Sequence, residues 1–127
     1  MDVIALRKES GEITGDIRLN GFPQEETSFR RCSGYVEQFD VQSAELTVRE
    51  TIRFSAQLRL DKSNAVYDTP NGLEQHINTI IKTLELTSEA DMLVGSEEEG
   101  GLTFEQKKRV SIAAILSIAA LIVEVEA

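Results

Sequence analysis

Near the end of the chain, the stretch GGLTFEQKKR places two glycines, a hydroxyl, an amide and three bases at what reads as the start of a helix. Such a set can hold a phosphate. The first N–H groups of a helix lack intrahelical acceptors and the helix dipole is positive there, so an anion is stabilised. Thr103 can add its hydroxyl proton, while Gly100 and Gly101 let the backbone approach closely. The same residues also make an ordinary capped helix. Thr103 and Gln106 have capping-box spacing, and Lys107, Lys108 and Arg109 then form a solvated basic face. On residue chemistry alone, the plain cap is the favoured reading.

Other reactive residues are sparse. His76 is the only histidine and falls in a helical pattern without a second metal ligand at suitable spacing, so an exposed helix histidine and no metal site are expected. Cys32, the only cysteine, rules out an intramolecular disulfide and a cysteine-rich zinc site, and fits a reducing compartment. A formal charge of -9 gives long-range attraction to nucleic acid or an anionic membrane surface the wrong sign. With 41% apolar and 28% charged residues in 127, the composition is that of one folded domain or part of one. The apolar run over residues 110–123 is shorter than the roughly 20 residues that cross a bilayer and is expected to be buried in protein, without membrane insertion. The N-terminal MDVIALRKES carries too short an apolar run for a signal peptide.

The elements that must position these residues follow from periodicity and punctuation. Asp2 to Lys8 read as the end of a helix, and EITGDIRLNG as a short strand or bent strand pair ending at Asn20-Gly21. FPQEETSFRRC reads as a turn, punctuated by Pro23, and one helical turn; SGYVEQ reads as another short strand. In LTVRETIRFSAQLRL, Thr47 and Glu50 have capping-box spacing, and Val48, Ile52, Ser55 and Ala56 form a buried stripe, which predicts a helix. DKSNAVYDTPNG is an exposed connection. Leu73, Ile77, Ile80, Ile81 and Leu84 then lie on one face of a second helix that packs on the first. An acidic loop over Ser96 to Gly101 leads to a third helix at Thr103, beyond which LIVEV is either a buried strand or a continuation of that helix.

Four segments, in order, resemble the second nucleotide-binding domain of pleiotropic-drug-resistance transporters, the full-size members of the G subfamily of ABC transporters. MDVIALRK resembles the helix after the phosphate loop, and GDIRLNGFP the strand and turn that follow. RRCSGYVEQFDVQSAELTVRETIRFSAQLRL is similar to the Q-loop region entering the helical subdomain, and GLTFEQKKRVSIA to the family's variant signature. The resemblance implies an α/β fold: an incomplete ABC-type P-loop NTPase domain, mostly helical subdomain with short core strands, over residues 1–127. It also reverses the preference at Thr103. In the family this segment contacts the γ-phosphate of ATP held by the opposite nucleotide-binding domain, which makes Thr103 and Gln106 nucleotide-binding positions.

Gln38 matches the Q-loop glutamine, which in the family helps hold magnesium and the attacking water and links the nucleotide site to the membrane domain. An amide can orient water but cannot ionise. The signature departs from the commonest form, with Phe104 and Glu105 where two glycines usually stand, and Glu97, Glu98 and Glu99 nearby oppose an anion. An ungapped alignment of Walker B places Glu126 and Ala127 at the two carboxylate positions, leaving Glu126 as a Walker B remnant and no group assigned to catalysis. No G-x-x-x-x-G-K-[ST] phosphate loop occurs in the sequence.

The resemblance therefore implies the middle of an ATPase domain of a lipid or drug exporter at the cytosolic face of a membrane, and a cytoplasmic location if the chain is expressed alone. ATP and magnesium belong to the parent domain, and neither is expected to bind this chain tightly alone. The implied partners are a second nucleotide-binding domain and the transmembrane domain of the same transporter, and the isolated chain is expected to be inactive. The competing reading is a non-enzymatic acidic protein-interaction module, or a truncated gene product, with a vestigial nucleotide site.

Overall fold

The structure, a computed structural model, describes residues 2–36, 42–96, 98 and 100–117. The chain divides into two units, one running to Tyr35 and the other beginning at Val36.

In the first unit, the strand pair is present as β1 (Arg18–Leu19) and β2 (Phe22–Pro23), antiparallel with Leu19 opposite Phe22. Asn20 and Gly21, at φ 50 and 84, supply the two positive φ angles that a tight two-residue hairpin needs. Pro23 thus sits inside β2 instead of punctuating a turn. The helix α1 (Glu26–Cys32) is longer than the single turn expected, with Glu26 at its positive end and Arg30 paired to it at 2.8 Å. Two expectations fail. Asp2 to Leu6 form turns, closed by Arg7 N–H donating to the Asp2 carbonyl at 2.8 Å, and Leu6 at φ 57 is left-handed, which ends any right-handed helical run. Ser33 to Val36, the described part of SGYVEQ, carry no strand, and Glu37 and Gln38 lie outside the described residues. Tyr35 instead donates its hydroxyl to Asp2 at 2.9 Å and lies under the Arg7 guanidinium, 4.3 Å from ring centre to Cζ.

The second unit is built on three helices: α2 (Val48–Arg59), α3 (Gly72–Thr83) and α4 (Phe104–Leu116). Helices α2 and α4 start where the sequence places them, and α3 begins at Gly72, the last residue of the expected exposed connection. Val48, Ile52 and Ala56 on α2, Ile77, Ile80 and Ile81 on α3, and Val110 and Ala113 on α4 are buried at helical spacing. They form one core with Leu86, Val94 and Leu102, and Leu73 and Leu84 pack on its margin. Polar side chains reinforce the packing. Ser55 donates to the Ala114 carbonyl at 2.9 Å, and Arg53 pairs with Glu74 at 2.7 Å. His76, expected on the exposed face, is half-buried and its Nε2 lies 3.0 Å from the Ser117 carbonyl, because α3 runs beside the end of α4. The connection after α2 contains a short 3-10 turn, Ala65–Tyr67.

Between α3 and α4 the chain makes a turn from Leu86 to Met92 and then a hairpin, β3 (Gly95–Ser96) and β4 (Gly100–Gly101). Ser96 and Gly100–Gly101, at the two ends of the expected acidic loop, therefore belong to a ladder. Leu93 to Gly95 also pair on their other side with Ala44 to Thr47, through Val94 N–H to the Leu46 carbonyl at 2.9 Å and Gly95 N–H to the Ala44 carbonyl at 3.0 Å. Both ladders among the described residues are antiparallel, so the α/β character shows as helices with short strands. No helix among the described residues is long and apolar enough to cross a membrane, and LIVEV lies outside them.

Candidate nucleotide-contact site

Thr103 is the N-cap of α4 and stays exposed. Its backbone is extended, at φ -66 and ψ 162, which turns the side chain back over the first helical turn. The Thr103 hydroxyl accepts from Gln106 N–H at 3.3 Å, while Gln106 Oε1 accepts from Thr103 N–H at 2.9 Å. This closes the expected capping box. The hydroxyl serves the cap as an acceptor, so its own proton is still available to donate outward. The amides of Phe104 and Glu105, the first two of α4, have no acceptor among the described residues. One hydroxyl proton and two amide protons thus gather at the positive end of a 13-residue helix. That is a set of donors suited to a phosphate oxygen.

The glycines have a structural task of their own. A side chain at Gly101, which has φ 144, would put its Cβ 2.6 Å from the Val94 carbonyl oxygen and 2.8 Å from Gly95 Cα. A Cβ at Gly95 would lie 2.3 Å from the Gly100 carbonyl oxygen. The hairpin that delivers Thr103 therefore requires bare backbone on both strands. A Cβ at Gly100, by contrast, meets nothing within 4 Å.

The basic run is less of a solvated face than its composition implies. Lys107, Lys108 and Arg109 are all half-buried, and Arg109 pairs with Glu105 at 2.6 Å. Glu105 thereby has its charge partly offset one turn into the helix.

Gln106 is committed on both ends of its amide. Its Oε1 serves Thr103, and its Nε2 donates to Glu89 Oε1 at 3.1 Å. Glu89 reads in the sequence as an ordinary polar position, and its partner lies 17 residues away, so no local signal could have found it. Gln38 and Glu126, the other expected site residues, lie outside the described residues. Near Gln38 in sequence, Gln42 donates Nε2 to Ser111 Oγ on α4 at 2.6 Å. Among the described residues no three His, Cys, Asp or Glu side chains gather to hold a metal ion. The described part of the site offers hydrogen-bond donors to an anion, and Gln38, the position matched to magnesium, lies outside it.

The family model described as ABC transporter matches residues 3–123. The chain is 43% identical over 113 residues to ABC transporter G family member 35 of Arabidopsis thaliana, covering 89% of this chain and 8% of that protein. It is 40% identical over 114 residues to ABC transporter G family member 42 of Oryza sativa subsp. japonica, with coverage of 89% and 8%. The chain thus spans about 8% of the length of these curated relatives.

Proposed function

This chain belongs to the ABC transporter family, in its ATP-binding domain, and from that premise we propose that it forms the middle of such a domain in a G-type exporter of lipids or drugs. Thr103 then faces the γ-phosphate of ATP held by a second nucleotide-binding domain. The observation that carries this reading is the open start of α4, where the Thr103 hydroxyl proton and the Phe104 and Glu105 amides meet no acceptor among the described residues. These donors cost no reorganisation when an anion arrives, because the capping box and the glycine hairpin already hold them. Bound ATP supplies the phosphoryl group that passes to water. Gln38 keeps the role of orienting that water and linking to the transmembrane domain, and Glu126 that of the Walker B remnant. The working location is the cytosolic face of a membrane.

No G-x-x-x-x-G-K-[ST] segment lies within the sequence, so the chain alone offers no cradle for the phosphates of its own nucleotide. The purified chain is expected to release no phosphate from Mg-ATP above background. Turnover that survives further purification would overturn this.

The contact itself is tested in a transporter whose matching segment is replaced by this chain. Thr103→Ala should lower turnover per folded molecule about tenfold or more, as expected for loss of a donor aimed at developing charge, while Thr103→Ser, which keeps the hydroxyl, should restore it. Normal turnover in Thr103→Ala at saturating ATP would defeat the phosphate contact.

A second reading, a protein-interaction module, draws on Phe54 and Leu58, one turn apart on α2 and 58% and 67% exposed. A monomeric, cooperatively unfolding chain with a nucleotide-independent partner at that face would favour it.

A further inference from the structure

Glu89 stands on the turn from Leu86 to Met92, held by Glu89 N–H to the Leu86 carbonyl at 3.2 Å and Met92 N–H to the Glu89 carbonyl at 3.0 Å. Its Oε1 accepts from Gln106 Nε2 at 3.1 Å, and its Oε2 is buried without a partner among the described residues. Burying an unpartnered carboxylate oxygen costs free energy, so an apolar side chain would serve packing better here. The position needs another explanation.

The explanation lies in the chemistry of the Gln106 amide. An amide has an accepting end and a donating end, and a half-turn exchanges them. In the flipped orientation the NH2 group would face Thr103 N–H, and the capping box would open. A carboxylate is acceptor-only, so at Glu89 it can engage only the NH2 end. The Gln106 oxygen is thereby directed to Thr103 N–H. At the start of α2 the corresponding residue is Glu50, whose two oxygens are equivalent, and its Oε2 accepts from Thr47 N–H at 2.9 Å without needing any such selection.

We propose that Glu89 is a positioning residue for the nucleotide contact: it fixes the orientation of the Gln106 amide, and through it the capping box that aims the Thr103 hydroxyl. Gln106 then acts through Thr103 and touches no nucleotide itself. The proposal rests on the phosphate-contact reading of Thr103.

The test uses the full 127-residue chain, labelled with 15N, and reads amide exchange residue by residue. In Glu89→Leu, Thr103 N–H should exchange about tenfold faster, the scale of one lost hydrogen bond, while Thr47 N–H and Ala113 N–H keep their rates. Glu89→Gln should recover most of the protection, since its carbonyl can accept from Gln106 Nε2. In the double variant Glu89→Leu with Gln106→Glu, protection should return in full, because a carboxylate at 106 cannot be misoriented; this pair carries the test if Glu89→Leu alone does not fold. Unchanged Thr103 exchange in Glu89→Leu, or equal acceleration at all three amides, would overturn the proposal, as would failure of the double variant to restore it.

In the transporter carrying this segment, Glu89→Leu should lower kcat for Mg-ATP about tenfold with KM unchanged, the pattern of an interaction realised in the transition state. Normal kcat in Glu89→Leu beside impaired Thr103→Ala would sink the Glu89 assignment alone. Normal kcat in Thr103→Ala would instead sink the reading on which it rests.

Discussion

At Thr47 and at Thr103 the chain uses the same local device: a threonine hydroxyl accepts from the third helical amide, and the side chain of that third residue returns to the threonine N–H. The two helix starts differ in what lies above them. Over α2, the Met92 carbonyl accepts from Val48 N–H at 3.1 Å and the Ala90 carbonyl from Arg49 N–H at 2.9 Å, so the first two amides are satisfied by the protein. Over α4, the corresponding amides of Phe104 and Glu105 have no acceptor among the described residues. The α2 start is closed and structural, whereas the α4 start presents its dipole and donors outward. Capping boxes therefore do not mark a binding site by themselves; the state of the first two amides distinguishes one helix from the other.

The largest effect that could break this comparison concerns how α4 is delivered. Gly101→Ala brings its Cβ to 2.6 Å from the Val94 carbonyl oxygen, at φ 144, and should cost about 3 kcal/mol or more of unfolding free energy in urea titration. Gly100→Ala, with nothing within 4 Å, meets only the strain of φ 78, about 1–2 kcal/mol. Equal costs for the two would mean that hairpin contact does not hold the α4 start.

The next effect separates the two threonines directly. Thr47→Ala and Thr103→Ala should each destabilise by about 0.5–2 kcal/mol, since both lose the same cap. Only Thr103→Ala should lower turnover per folded molecule in the transporter. Thermal unfolding and ATPase rates measured on both variants decide the matter, and a matching loss of turnover in Thr47→Ala would erase the distinction.

The smallest effect is a pH dependence confined to the α2 box. Glu50 accepts the Thr47 backbone N–H and the hydrogen bond of its hydroxyl, which hold its carboxyl below the ordinary glutamate value. Its folded value is thus below its unfolded one, so its stabilising effect is present above the ordinary glutamate range and is lost as pH falls through the folded value. The Gln106 amide at the corresponding position of α4 has no such titration. Protection of Thr47 N–H, corrected for intrinsic exchange, should decline as the medium is acidified, and Glu50→Gln should remove that decline. A decline unchanged in Glu50→Gln would assign the effect to another group.

How far the sequence was legible depends on the range of the interactions involved. The three long helices could be read because Val48, Ile52 and Ala56, or Ile77, Ile80 and Ile81, repeat at helical spacing, and because their burial follows from that repeat. The Asn20-Gly21 hairpin could be read because its turn chemistry resides in two adjacent residues. The helix expected over Asp2 to Lys8 could not, since a short apolar pattern does not reveal that Leu6 takes a left-handed conformation. The histidine was misplaced for a similar reason: nothing near His76 in sequence announces the Ser117 carbonyl that it meets across the helix pair. At the candidate site, Thr103 and the Gln106 cap were legible, whereas Glu89, their brace, was not.

By itself, the sequence determined the family resemblance, the helix starts at Thr47 and Thr103, and the absence of a phosphate-loop motif within the chain. Each of these depends on residues a few positions apart, where bond geometry fixes who can reach whom. Only the tertiary structure decided which of the two capped starts is open. The carbonyls of Ala90 and Met92 reach the first amides of α2 because the turn after α3 packs over that helix, whereas no described carbonyl is brought over α4. A main-chain carbonyl belongs to every residue type, so its placement leaves no trace in the identity of the residue that carries it; the difference between a closed helix start and an open one arises from packing.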